Sequence, residues 1–186
     1  MKKTAFIACL LMLLTGTNAQ AQVANYDVVP LPKSVNLLQV PGFVLNDDVR
    51  IVYATGNADM ERNARFLSDY VKEMTGITLT SQPLVKKNDI RGNIMLALAT
   101  TPKGKKKVTT EPNPEAYTIN VTAKGVTITG QTPAAVFLGI QTLRKSLPIV
   151  KDNPQAVSLP AVVIQDEPRF AYRGMHLDCS RHFYPV

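Results

Sequence analysis

The 186-residue sequence has no tryptophan, two cysteines and two histidines, and its aromatics stop at six tyrosines and six phenylalanines. Cys9 lies in the first apolar run and Cys179 near the C-terminus. If the first leaves with a leader, the second has no partner, which excludes an intramolecular disulfide and a cysteine metal cluster. His176 and His182 fit no metal-binding spacing, so no metal site is assigned and no cofactor is expected. Long apolar runs are also missing: Ala5–Leu14 falls well short of the about 20 residues a membrane-spanning helix needs. There is no internal repeat or biased tract, and 45% hydrophobic with 19% charged residues excludes the disordered and fibrous classes. A chain of this length can bury roughly 70% of its surface, enough for a proper core.

The short apolar run has a meaning of its own. Lys2-Lys3 precede it, and Ala19-Gln20-Ala21 follow it as a small-residue cleavage site. Residues 1–21 therefore read as a secretory signal peptide, with export to the periplasm or the exterior and no stable membrane span after cleavage. Cleavage removes two lysines and no acid, so the net charge falls from +7 to +5. Part of that excess is one run, Lys103, Lys105, Lys106 and Lys107. It has no aromatic interleaving and sits in Pro/Gly-containing turn material, so it reads as a solvated loop and not as a nucleic-acid patch.

Periodicity places the elements. Residues 58–75 carry Ala64, Leu67, Val71 and Met74 on one helical face, and Gly76 supplies a left-handed stop. A second helix is expected from Pro133 to Leu147, with Thr132 as N-cap and Val136, Ile140, Leu143 and Leu147 buried. Strand patterns occupy Ser34–Val40, Phe43–Leu45, Arg50–Ala54, Ile77–Thr80 and Ile94–Ala99. Tyr117–Val121 and Val126–Thr129 alternate apolar and polar residues around Ala123-Lys124-Gly125, which predicts a β-hairpin. The expected fold class is α+β: a mainly antiparallel sheet with two helices packed on one face. The domain spans 22–150, 151–168 form an extended linker, and 169–186 begin a further strand near Tyr172. That strand has no later partner in the sequence, so a longer polypeptide is expected. The acidic pairs Asp47-Asp48 and Asp166-Glu167 read as solvated turn and linker acids.

Two stretches resemble glycoside hydrolase family 20, the exo-β-N-acetylhexosaminidases. Ala116-Tyr117-Thr118-Ile119 with Gly139-Ile140-Gln141-Thr142-Leu143 is similar to the closing half of that family's small N-terminal domain. More specific is Asp166-Glu167-Pro168-Arg169-Phe170-Ala171-Tyr172-Arg173-Gly174-Met175-His176-Leu177-Asp178-Cys179-Ser180-Arg181-His182-Phe183. It resembles the start of the family's catalytic (β/α)8 barrel. The resemblance implies a zincin-like accessory layer over 22–150 and, over 169–186, the first strand and loop of an incomplete barrel. It implies that Arg181 contacts the hydroxyls of a terminal N-acetylglucosamine or N-acetylgalactosamine, a task suited to a rigid fork of donors. Asp178 and His182 are then site-supporting residues that brace the loop, while Arg173 is structural and Cys179 packs.

In the family, hydrolysis is retaining and substrate-assisted: a Glu acts as acid/base and an adjacent Asp orients the substrate's acetamido group. That pair lies on a later barrel strand, and neither acidic pair of this sequence matches its motif. No catalytic residue is assigned, and the chain alone is expected to be inactive. The alternative from another class is a free-standing, non-catalytic glycan- or partner-binding module. The lack of tryptophan and of an aromatic platform speaks against it.

Overall fold

The computed structural model describes residues 22–85, 91–99, 113–150 and 156–176. The leader 1–21, the lysine run, Asp178, Cys179, Arg181 and His182 lie outside the described residues.

Helix α1 (Ala58–Thr75) starts where Asn57, in extended conformation, accepts the Asp59 and Met60 backbone N–H groups through its side chain. Asp59 and Glu61 in the first turn and Lys72 in the last complement the helix dipole. It ends at Gly76, whose φ of 76° only glycine adopts freely and whose N–H donates to the Lys72 carbonyl. The expected stripe is buried at Ala64, Leu67 and Val71, with Met74 half-buried. Met60 and Asn63 extend it, and the Asn63 amide donates to the Pro133 carbonyl at 2.8 Å, tying α1 to the next helix. Helix α2 (Pro133–Ser146) has the expected Thr132 cap and proline at its first turn. Val136, Ile140, Leu143 and Leu147 are buried as the spacing requires.

The strands are β1 (Gln22–Val23), β2 (Ser34–Leu37), β3 (Phe43–Leu45), β4 (Arg50–Tyr53), β5 (Thr80–Pro83), β6 (Ile94–Leu98), β7 (Tyr117–Thr122), β8 (Gly125–Gly130), β9 (Val157–Leu159) and β10 (Val162–Asp166). Seven form one sheet in the order β2-β10-β7-β8-β6-β4-β5. Its half from β2 to β8 is antiparallel, and β8, β6, β4 and β5 run parallel. The parallel half follows from connectivity: β4, α1 and β5 make a crossover unit, which parallel neighbours require. A second, three-stranded sheet, β1-β9-β3, adds Phe43, Leu45, Val157 and Leu159 to the core. The α+β class is therefore the one the sequence predicts. Both helices pack on the face that carries Ile94, Leu96, Ile119, Val126, Ile128 and Ile164. Thr118, Asn120, Thr127, Thr129 and Gln165 alternate onto the opposite, wetter face.

Two expectations need correction. The strand predicted at Ile77–Thr80 forms at Thr80–Pro83: Ile77 and Leu79 are buried, but the ladder with β4 begins only at Thr80. The larger correction concerns 151–168, read above as a linker. Its described part contains β9 and β10, and β10 lies inside the large sheet, with Ile164 opposite both Val35 and Ile119. Prolines at 148, 154, 160 and 168 give the stretch the look of a connector. Its ladder partners lie far away along the chain, where local pattern does not reach.

Candidate functional site

The chemistry-bearing residues that the fold brings together lie where β10 ends and the chain leaves the sheet. Asp166, the last residue of β10, is opposite Tyr117, the first of β7. The Tyr117 hydroxyl donates to Asp166 Oδ2 at 2.8 Å and lies 2.6 Å from Thr142 Oγ1 on α2. With the phenol proton directed at the carboxylate, the Thr142 hydroxyl is the donor in the second bond. Asp166 Oδ1 accepts the Lys33 backbone N–H at 3.1 Å. Burial pushes the Tyr117 phenol well above its ordinary value; the Thr142 bond opposes this and the Asp166 carboxylate adds to it. Tyr117 therefore stays neutral at physiological pH and serves as a latch, not as a base.

Beyond the latch, Glu167 pairs with the Lys33 ammonium. Arg173 turns back toward the domain: Nη1 donates to the Phe170 carbonyl at 2.6 Å, and Nη2 reaches both oxygens of Glu115 at 2.8 and 2.9 Å. A groove of about 480 Å³ runs beside this segment, floored by Tyr117, Thr142 and Leu138 and walled by Val28, Leu31, Gln141 and Pro168. The Gln141 Nε2 is buried there with no hydrogen-bond partner among the described residues. In the same segment, Phe170, Tyr172 and Met175 are 72%, 92% and 90% exposed.

The arrangement suits holding and orienting a chain segment. It offers no nucleophile–base pair and, among the described residues, no group of His, Cys, Asp or Glu that would hold a metal. Of the residues singled out in the sequence, Arg181, Asp178 and His182 lie outside the described residues. Arg173 is described, and its role is a pairing one. Asp166 and Glu167 are not the free linker acids expected, since both are bonded to groups remote in sequence. The strand expected to begin at Tyr172 forms no ladder over residues 172–176, because no described strand lies beside it to supply partners. Sequence reasoning gave Tyr117, Thr142 and Glu115 no place in a site. Tyr117 carried one signal, an aromatic at the inward register of a hairpin, but its partners are fixed only by the sheet order.

The model of glycosyl hydrolase family 20, domain 2, matches residues 25–167. A beta-hexosaminidase of Porphyromonas gingivalis is 26% identical over 198 residues, covering 100% of this chain and 24% of that protein. One from Vibrio vulnificus is 44% identical over 69 residues, covering 37% of this chain and 8% of its own. Among solved structures, the family 20 beta-N-acetylhexosaminidase of Streptomyces coelicolor superposes with a TM-score of 0.66 at 31% identity, over 86% of this chain and 30% of that one. This chain thus spans no more than about a third of the proteins it resembles.

Proposed function

Since the chain belongs to glycosyl hydrolase family 20, we propose that it is the N-terminal portion of an exported β-N-acetylhexosaminidase. Residues 1–21 direct export to the periplasm or exterior. The described layer is the accessory domain on which a catalytic barrel is seated, and residues 169–186 lead into that barrel. Arg181 binds hydroxyls of the terminal N-acetylhexosamine, with Asp178 and His182 bracing it. Hydrolysis is substrate-assisted and retaining, and the acid/base Glu with its partner Asp comes from residues beyond this sequence.

One observation carries the reading from the structure. The segment leaving β10 is bonded to the domain at Lys33 and Glu115, yet it presents Phe170, Tyr172 and Met175 to solvent, while Leu31, also exposed, lines the groove that Arg169 and Arg173 border. Exposed apolar side chains on a segment that borders a groove, itself holding a buried amide without a partner among the described residues, support a surface that another body covers. The relatives are beta-hexosaminidases, which supports a glycosidase catalytic domain as that body. The sequence has no tryptophan, which argues against a free glycan-binding module.

The test has two parts. Sequencing the gene past codon 186 should read into barrel strands and an adjacent Asp-Glu pair. The 186-residue chain, purified from a host without hexosaminidases, should leave a chromogenic N-acetyl-β-glucosaminide intact, whereas the extended polypeptide hydrolyses it. Turnover by the short chain above a blank purification would overturn the proposal, and so would a stop codon directly after Val186.

A further inference from the structure

Glu115 is presented by an unusually well-tied turn. Its N–H donates to Asn113 Oδ1 and the Ala116 N–H to the Asn113 carbonyl, both at 2.9 Å. The same turn is pinned to the start of α2, because the N-cap Thr132 hydroxyl donates to the Pro114 carbonyl at 2.8 Å. The Gln131 N–H donates to the Ala116 carbonyl at 3.1 Å, fixing the turn to the end of β8 as well. The backbone that carries the Glu115 side chain is thus a fixed point of the domain.

Arg173 spans from that point to the outgoing segment. One guanidinium nitrogen takes both Glu115 oxygens and another takes the Phe170 carbonyl, so the side chain closes a loop in its own segment while docking it. The pair is about half exposed, too wet to contribute much to the stability of the domain. Its geometry does something else: it sets a direction.

We infer that Arg173 is a positioning residue: clamped by Glu115, it fixes the course on which the chain leaves the accessory domain. Arg181 follows it in the same segment. The consequence for sugar binding rests on the function proposed above, but the clamp itself is a property of this chain.

The experiment is limited proteolysis by chymotrypsin, which cuts after Phe170 and Tyr172, on the 186-residue chain and its variants, with the thermal midpoint beside it. A segment clamped to the domain resists the extended pose a protease needs, so Glu115→Ala and Arg173→Ala should each speed cleavage at these two sites by roughly two- to fivefold. Cleavage at Tyr117 in the hairpin and the midpoint should stay where they are. The double variant should be cut no faster than Arg173→Ala alone, since the two substitutions break one clamp. Arg173→Lys, which keeps one bond to Glu115 and loses the fork, should fall between. Exchanging the charges, Glu115→Arg with Arg173→Glu, should recover protection that either reversal alone destroys. Unchanged cleavage in Glu115→Ala would overturn the inference. So would equal loosening of the hairpin, which would make the pair part of the scaffold, or failure of the charge exchange to recover any protection. Glycoside hydrolysis plays no part in this readout. An inactive extended polypeptide would sink the proposed function and leave the clamp standing, and an unprotected segment in an active enzyme would do the reverse.

Discussion

Tyr117 and Tyr26 show what burial does to a single titratable group. The Tyr26 hydroxyl donates to the Pro160 carbonyl at 2.9 Å, and Tyr117 donates to Asp166. Burial raises both phenols above their ordinary value. The folded state then holds these protons more tightly than the unfolded chain. The stability this contributes is fully present below about pH 10, the ordinary tyrosine value, and is lost as pH rises toward the folded-state value. Phenolate absorbance should therefore show Tyr26 and Tyr117 still protonated at about pH 11, ionising only as the protein unfolds. If both ionised in the ordinary range while circular dichroism stayed native, their burial as described would be wrong.

At the scale of elements, the contact most sensitive to a single atom lies between the Pro41-Gly42 turn and β9. A Cβ added to Gly42 would lie 2.1 Å from the Leu159 carbonyl oxygen, which is backbone and has no rotamer to give. Gly42→Ala must therefore push β3 away from β9 at the end of their ladder where Phe43 opposes Leu159. Overpacking of this kind costs about 1–3 kcal/mol, and more where only backbone can move. A thermal melt should show the midpoint several degrees lower, with α1 and α2 still formed below it. An unchanged midpoint would mean that the turn and β9 are not in contact.

For the whole molecule, the decisive strand is β10. It is central to the antiparallel half of the sheet, and with β9 it buries Val157, Leu159, Val162 and Ile164. Burial of four such side chains is worth roughly 6–12 kcal/mol, comparable with the about 5–15 kcal/mol that hold an entire domain folded. A chain ending at Val150 should therefore fail to fold, although every residue of both helices and of the β7–β8 hairpin is present. A chain ending at Glu167 should fold cooperatively, since among the described residues 168–176 contribute no buried side chain and their bond to the rest of the domain is the exposed Arg173–Glu115 pair. Circular dichroism and urea titration of the two would decide. A cooperative transition in the shorter chain would restore the domain limit at 150 that the sequence suggests.

What the sequence determined by itself was local or carried by motif. Both helices, their caps at Thr132 and Gly76, their buried stripes and the hairpin were legible because the residues that decide them lie within a few positions of one another. Family membership was legible from Ala116–Ile119 with Gly139–Leu143 and from the run Asp166–Phe183, and the match to residues 25–167, which holds the first of these, bears the membership out. The tertiary structure alone decided the rest. It turned the presumed linker into β9 and β10, and it joined Tyr117 to Thr142 and Asp166, Lys33 to Glu167, and Glu115 to Arg173. The physical reason is the same each time. A strand's ladder and an ion pair's partner are set by which segments the sheet order brings side by side, and no local periodicity encodes that order.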